Sequence, residues 1–120
     1  MKQYDLEERT LEFAKRTLKF CRVLPKTITD IEISKQLTRS STSVGANYIE
    51  ANEALSQKDF LMRIKICRKE AKECGYWFKL LEPTNGDTGG ERQALLRESI
   101  ELMKIFGSIV SKHDRANPKH

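Results

Sequence analysis

The clearest chemical pattern in the sequence is a row of lysines that recur every seventh residue. The row consists of Lys58, Lys65, Lys72 and Lys79, with Lys69 on the same side of a helix that turns about 100° per residue. We call these five residues the lysine ladder. Ammonium groups aligned along a helix favour contact with phosphates, which gives sequence-independent and salt-sensitive binding to nucleic acid. The alternative is a solvated helix face whose lysines pair with Glu70, Glu73 and Glu82.

Side chains suited to catalysis do not form a recognisable constellation. Helical bundles build di-iron sites from Glu-x-x-His pairs, and this sequence contains none. Both histidines lie at or beyond the end of the last predicted helix. Two glutamate pairs have the i,i+3 spacing of ordinary surface acids, Glu50–Glu53 and Glu70–Glu73. There is also no Gly-rich phosphate loop, and no Ser or Cys nucleophile is paired with a base. The sequence therefore predicts a non-enzymatic protein without a metal or cofactor.

The cysteine content and charge favour a reducing compartment and polyanionic partners. The chain has three cysteines, an odd number, and Cys67 and Cys74 lie one heptad apart. That spacing is about 10 Å along a helix, too far for a disulfide, so we expect buried thiols. The net charge of +5 favours polyanions, although it also simply keeps a protein soluble. With no secretory signal and no apolar stretch of about twenty residues, we expect a cytoplasmic protein that does not contact membranes.

Four helices are predicted to position these side chains. Apolar residues recur at alternating steps of four and three, the heptad spacing of helices packed nearly parallel or antiparallel. Along the second helix this seam continues as far as Leu55. Thr29 and Ser56 each precede an acid by three residues, which predicts N-terminal caps. The predicted helices span residues 4–23, 30–55, 57–82 and 90–112, with a turn at 83–87.

This layout predicts an all-α fold, an antiparallel up-down-up-down four-helix bundle. Residues 1–113 would form the bundle, and residues 114–120 would form a disordered tail. Small side chains at 40–46 have low helix propensity, which predicts that a neighbouring helix approaches closely there. The predicted core consists of Phe13, Phe20, Leu37, Val44, Tyr48, Phe60, Ile64, Ala71, Phe78, Leu102 and Phe106.

Further apolar residues outside this core predict an interface between subunits. On the third helix they occupy an arc more than a quarter-turn from the seam, and on the first they form a strict seven-residue line. Contiguous exposed apolar surface usually marks an interaction site. The alternative is that large side chains only overlap the edge of the bundle. The interface candidates are Tyr4, Leu11 and Leu18 on the first helix and Met62, Ile66, Trp77 and Leu80 on the third, where Tyr76 shares the arc.

The segment LTRSSTSVGANYIEA at 37–51 resembles a known family pattern. It is the pattern of the four-helix-bundle proteins encoded in intervening sequences of bacterial 23S ribosomal RNA genes. SQKDF at 56–60 and KEAKECGYW at 69–77 are similar to its next parts, and the likeness is close over 24–81. Many members have an Ala-Glu-Gly run where this chain has IEANE at 49–53. The polar residues that match the pattern are Arg39, Asn47, Glu50 and Asp59.

We expect structural roles for these four polar residues. Arg39 and Glu50 would pair between helices or between subunits, and Asn47 would hydrogen-bond the backbone across the second helix. The resemblance itself implies a ring-shaped homopentamer, which agrees with the second apolar surface. A related branch, the accessory variability proteins of diversity-generating retroelements, shares that shape and is associated with a reverse transcriptase and nucleic acid.

By analogy, the resemblance supports a nucleic-acid-associated or a scaffolding role. Together with the charge pattern, it leads us to predict an oligomeric module that binds RNA or DNA through the lysine ladder. The alternative is an oligomeric scaffold or adaptor that binds a protein partner without nucleic acid.

Overall fold

The structure, a computed structural model, describes residues 6–81 and 87–116, and 90% of this part of the chain is helical. It contains four helices: α1 (Leu6–Arg22), α2 (Ile28–Asn52), α3 (Gln57–Leu80) and α4 (Asp87–Ala116). No strand occurs within these two ranges. The predicted all-α fold is confirmed.

Capping residues set the starts of α2 and α3. Ser56 has an extended backbone, and its hydroxyl accepts a hydrogen bond from the Asp59 amide at 3.0 Å, which confirms the predicted cap of α3. The predicted cap at Thr29 is wrong. Thr27 caps α2 instead, and its hydroxyl accepts from the Asp30 amide at 3.1 Å. Two Thr-x-x-acid sequences overlap here, and Thr27 has the extended backbone that a cap requires, whereas Thr29 already lies in the helix.

Contacts between the helices define an antiparallel bundle. Each helix packs against two neighbours in the order α1, α2, α3, α4 and back to α1, so that α1 and α3, like α2 and α4, are diagonal pairs. Within each neighbouring pair, residues near the start of one helix contact residues towards the end of the other. Examples are Thr10–Gly45 and Cys21–Ser34, Arg39–Glu73 and Asn47–Arg63, Arg68–Gly107 and Gly75–Ser99, and Arg9–Glu98 and Arg16–Glu91. The predicted up-down-up-down topology is therefore confirmed.

Aromatic rings meet across both diagonals of the core. Phe20 lies edge-on to Phe78 with ring centroids 5.8 Å apart, and Tyr48 lies 5.9 Å from Phe106. Nine of the predicted core residues are buried, whereas Tyr48 and Phe60 are partly buried and pack against the core from its margin. The prediction that Leu55 continues the seam is wrong. Because α2 ends at Asn52, Leu55 lies in the connection to α3 and is fully exposed.

The helices α1 and α2 approach closely at the small residues of α2. A Cβ added to Gly45 would lie 3.1 Å from Oγ1 and 3.3 Å from Cβ of Thr10. The Thr10 hydroxyl is itself held in place, since it donates to the Leu6 carbonyl oxygen at 2.7 Å. Ser40 and Ser41 are completely buried in the same segment. The close approach predicted for residues 40–46 is confirmed.

Two ion pairs link α1 to α4. Arg9 donates to both carboxylate oxygens of Glu98 at 2.7 and 2.9 Å, and Arg16 donates to both oxygens of Glu91 at 3.1 Å. These hydrogen bonds are the main cause of the raised pKa of each arginine. Forked arginine–carboxylate pairs also fix geometry, because both N–H groups must align at once. They therefore hold α1 and α4 in register along the edge of the bundle.

The helix α4 is longer than predicted at both ends. It begins before Gly89 and Gly90 and continues to Ala116, so residues 114–116 of the predicted disordered tail are helical. His113 and Arg115 in the last turn are favoured there by the partial negative charge of a helix C-terminus. Residues 117–120 lie outside the described residues, as do most of the predicted turn and the outer ends of the first and third predicted helices.

Candidate nucleic-acid interface

The lysine ladder lies on the exposed face of α3. All five side chains are exposed, and Lys58 and Lys79 are separated by about 32 Å at 1.5 Å per residue. The helix has five lysines and two arginines against three acids, which is a net charge of +4 in a chain whose total is +5. Most of the net positive charge of the protein is therefore concentrated on this one helix.

Arg39 of α2 holds two of the acids that were alternative partners for the ladder. Its guanidinium lies 2.9 Å from Glu73 Oε1 and 3.5 Å from Glu70 Oε1. The hydrogen bond to Glu73 is the main cause of the raised pKa of Arg39. No lysine of the ladder forms an ion pair with another residue in the described part of the chain. The third acid, Glu82, lies outside that part.

Tyr76 is an exposed aromatic residue beside the ladder. It lies between Lys72 and Lys79 along α3, and 56% of the residue is exposed. Its ring is oriented by Trp77, which it meets in a T-shaped contact with centroids 5.0 Å apart. Lys72, Tyr76 and Lys79 line a groove of about 250 Å³ between α3 and α4, together with Met103 and others. The spacing of residues along the sequence places Tyr76 in the apolar arc and does not indicate a role in binding.

The four polar residues that match the family pattern do not form a common site. Arg39 pairs with acids of α3 and not with Glu50, which is exposed on α2. Asn47 donates from Nδ2 to the Ser43 carbonyl oxygen at 2.9 Å, and its Oδ1 accepts from Arg63 Nη1 at 3.0 Å. Asp59 lies in the capped first turn of α3. Arg39 and Asn47 thus join α2 to α3.

The candidate interface residues form two partly exposed stripes. Leu11, Met62 and Leu80 are among the exposed large apolar residues, whereas Leu18 and Ile66 are of intermediate burial. Trp77 is partly buried and packs against the core, and Tyr4 lies outside the described residues. Ile31 and Ile49 of α2 are further exposed apolar residues, which were not among those predicted from the sequence. The two stripes lie on α1 and α3, which are diagonal helices.

The three cysteines are buried thiols, as predicted. Cys67 donates to the Val44 carbonyl oxygen at 3.4 Å, and burial raises the pKa of its thiol to about 12. Burial likewise raises the pKa of Cys74 and Cys21. Because the thiolate is the nucleophilic form, these cysteines are unreactive at neutral pH.

A second cleft, between α1 and α2, was not anticipated from the sequence. It has a volume of about 440 Å³ and is lined by Cys21, Lys26, Lys35 and Arg39, among others. Lys35 and Arg39 are each ion-paired with glutamates. The cleft therefore offers fewer unpartnered cations than the lysine ladder does.

The described residues offer neither a cluster of metal ligands nor a membrane-spanning helix. Within residues 6–81 and 87–116, no three His, Cys, Asp or Glu side chains are grouped so that they could hold a metal ion. None of the helices in these ranges combines the length and apolar character that spanning a bilayer requires.

Comparison with known proteins identifies the family. The model of the 23S rRNA-intervening sequence protein family matches residues 2–108. The chain belongs to this family. Its fold is similar to a solved structure from Bacteroides thetaiotaomicron, a protein of unknown function from the S23 ribosomal protein family, with a TM-score of 0.80. The two are 36% identical, and the match covers 92% of this chain and 99% of that one. No curated protein matches the sequence. The indications of what this chain does therefore come from its own surface.

Proposed function

We propose that this 23S rRNA-intervening sequence protein is a non-enzymatic oligomeric module that binds RNA or DNA through the lysine ladder. The supporting observation is that the ladder lysines have no acid partner among the described residues, while Arg39 occupies Glu70 and Glu73. Lysines without acid partners present their full charge to a phosphate backbone. The polar contacts of Arg39 and Asn47 support structural roles for these two residues. The three cysteines form no disulfide, which fits a reducing cytoplasm.

Assembly is the second part of the proposal. The stripes that contain Leu11 and Leu80 lie on diagonal helices and therefore on opposite sides of the bundle. If the stripe on one side of a subunit binds the other stripe of the next subunit, the contact is head-to-tail. Repeating such a contact gives a closed ring when the rotations between successive subunits add up to a full turn. The family resemblance supports five subunits. In such a ring the ladders of all subunits would act together on one polyanion.

A gel-shift titration with single-stranded RNA and with duplex DNA at two salt concentrations tests the binding. If about five phosphates are neutralised, affinity for single-stranded RNA should fall roughly 100-fold between 50 and 200 mM salt, because bound phosphates release counterions. Replacing Lys65, Lys69 and Lys72 with glutamate should abolish binding and leave the number of subunits, measured by native mass spectrometry, unchanged.

A matched variant controls for the change in total charge. Lys19, Lys26 and Lys112 are exposed and lie on α1, in the α1–α2 connection and near the end of α4. Their replacement by glutamate changes the charge equally but leaves the ladder intact, so binding should persist. Equal loss in both triple variants, or no shift of either nucleic acid by the native protein at low salt, would show that the ladder is only a solvated face.

A scaffold that binds a protein partner is the second candidate. The exposed Ile31 and Ile49 on α2 favour it, because apolar side chains at the surface commonly mark protein contacts. A scaffold would show no salt-dependent binding to nucleic acid, and it would retain its partner in the variant that has glutamate at Lys65, Lys69 and Lys72.

A further inference from the structure

We propose that the ladder surface prefers single-stranded nucleic acid, with one base stacked on Tyr76 and the flanking phosphates on Lys72 and Lys79. This inference rests on the proposed function and specifies the ligand class for the same site. It follows from the position of one aromatic ring relative to the lysines and to the groove between α3 and α4.

Tyr76 is suited to stacking because its ring is both exposed and oriented. In a single subunit just over half of the residue is open to solvent, at the edge of the apolar arc that adjoins the ladder, and the T-shaped contact with Trp77 restricts the ring. A restricted ring loses less conformational entropy when a base packs on it. Base–aromatic stacking tolerates any sequence, because every base has a π-face. Tyr76 can therefore add affinity without adding sequence specificity.

The neighbouring charges place phosphates on both sides of this ring. Along the α3 axis, Tyr76 lies about 6 Å from Lys72 and about 4.5 Å from Lys79 at 1.5 Å per residue. Both lysines line the groove beside Tyr76, and Ile100 and Met103 of α4 provide apolar surface there. Cations along a backbone path, with aromatic and apolar surface between them, match the arrangement with which proteins hold single strands.

A duplex would use this surface less well. Its bases are stacked on one another and paired, so a base reaches a surface ring only after unstacking and unpairing, which is unfavourable. A duplex can contact the lysines through its phosphates but gains nothing from Tyr76. The same surface thus discriminates between the two forms through its aromatic residue, while its charge attracts both.

Binding of a 15-nucleotide single-stranded RNA and a 15-base-pair duplex of the same sequence to three full-length proteins tests this inference. The native protein should bind the single strand more tightly. Tyr76→Leu should weaken single-strand binding by about 5- to 150-fold and leave duplex binding unchanged. Tyr76→Phe, which keeps the ring, should bind like the native protein. The fluorescence of a 2-aminopurine base in the single strand should be quenched by the native and Tyr76→Phe proteins but not by Tyr76→Leu.

Circular dichroism and native mass establish that each variant is folded and assembled. If Tyr76→Leu weakens both ligands equally or neither, or if the native protein prefers the duplex, the inference is wrong while lysine-dependent binding stands. If the native protein binds neither ligand at low salt, the proposed function itself fails. The two failures are therefore distinguishable.

Discussion

Arg39 shows at the residue scale which contacts a sequence reveals and which it conceals. Pairing of lysines with Glu70 and Glu73 is visible from spacing along one helix, because residues three or four apart are neighbours. The actual partner of Glu73 lies 34 residues away on α2, at 2.9 Å. That contact depends on how α2 packs against α3, which spacing does not give. The sequence therefore predicts that the ladder lysines are exposed but does not predict that they lack acid partners.

The buried thiols allow a prediction about pH. The pKa of Cys67 is raised from 9.0 to about 12 by burial, so the folded state disfavours the thiolate. The free energy of unfolding is therefore unaffected by this thiol below pH 9, where it is protonated in both states. That free energy falls as the pH rises from 9 towards 12, because the unfolded state loses the proton first. We expect the native protein to resist thiol labelling at pH 8 and to expose three reactive thiols in guanidinium chloride.

Urea unfolding at pH 8 and pH 10.5 checks the linkage. Stability should fall with pH in the native sequence, and the fall should be smaller in Cys67→Ala, which lacks the titrating group. Rapid labelling of the native protein at pH 8 would contradict the assignment of protonated, inaccessible thiols.

At the scale of elements, the heptad seam predicted the helices well, but their ends less well. Periodicity identifies the interior of a helix, whereas its ends depend on the backbone of one or two residues. Thr27 and Thr29 illustrate this, since both precede an acid by three residues and only one is a cap. Leu55 fits the heptad and yet lies beyond the end of α2. The ion pairs between α1 and α4 were not predicted, because they join distant segments.

The close approach of α1 and α2 predicts that a single methyl group at Gly45 is destabilising. In Gly45→Ala the new Cβ would press against Oγ1 and Cβ of Thr10; Cβ is fixed by the backbone, and Oγ1 is held by its hydrogen bond to the Leu6 carbonyl oxygen. Overpacking of this kind costs about 1–3 kcal/mol, whereas alanine gains about 1 kcal/mol in helix propensity. We expect a net loss of about 1 kcal/mol in the free energy of unfolding, measured by urea titration.

Gly107 provides the matched control on α4. A Cβ there would meet only Arg68 Cδ, at an ordinary contact distance of 3.7 Å. Gly107→Ala should therefore keep the propensity gain and stabilise the protein by up to about 1 kcal/mol. If the two variants shift stability equally, the contact with Thr10 does not restrict the position of α2.

At the scale of the whole molecule, the two apolar stripes predict how copies of the chain associate. Replacing Leu11 or Leu80 with glutamate should give monomers, because each substitution places a charge in one of the two contacting surfaces. Leu55→Glu makes the same chemical change at a fully exposed position in the α2–α3 connection, which belongs to neither stripe, so it should leave the assembly intact. Native mass measurement reports all three. A native protein that is monomeric at micromolar concentration would refute assembly.

Mixing the variants tests the head-to-tail arrangement. Leu11→Glu retains the α3 stripe, and Leu80→Glu retains the α1 stripe. One copy of each can then form a single native contact but cannot extend it, so the mixture should contain one-to-one dimers. A two-fold symmetric contact, in which each stripe binds the same stripe of another copy, predicts dimers within each variant and no mixed dimers.

The antiparallel order has a consequence for the field around the bundle. Each helix carries a macrodipole with partial positive charge at its N-terminus, and neighbouring helices here point in opposite directions. Two N-termini and two C-termini therefore lie at each end, so their partial charges largely cancel and neither end attracts anions strongly. The external field is then set by the side chains along the flanks. Under the proposed function, a polyanion approaching from a distance would be directed to the flank that carries α3.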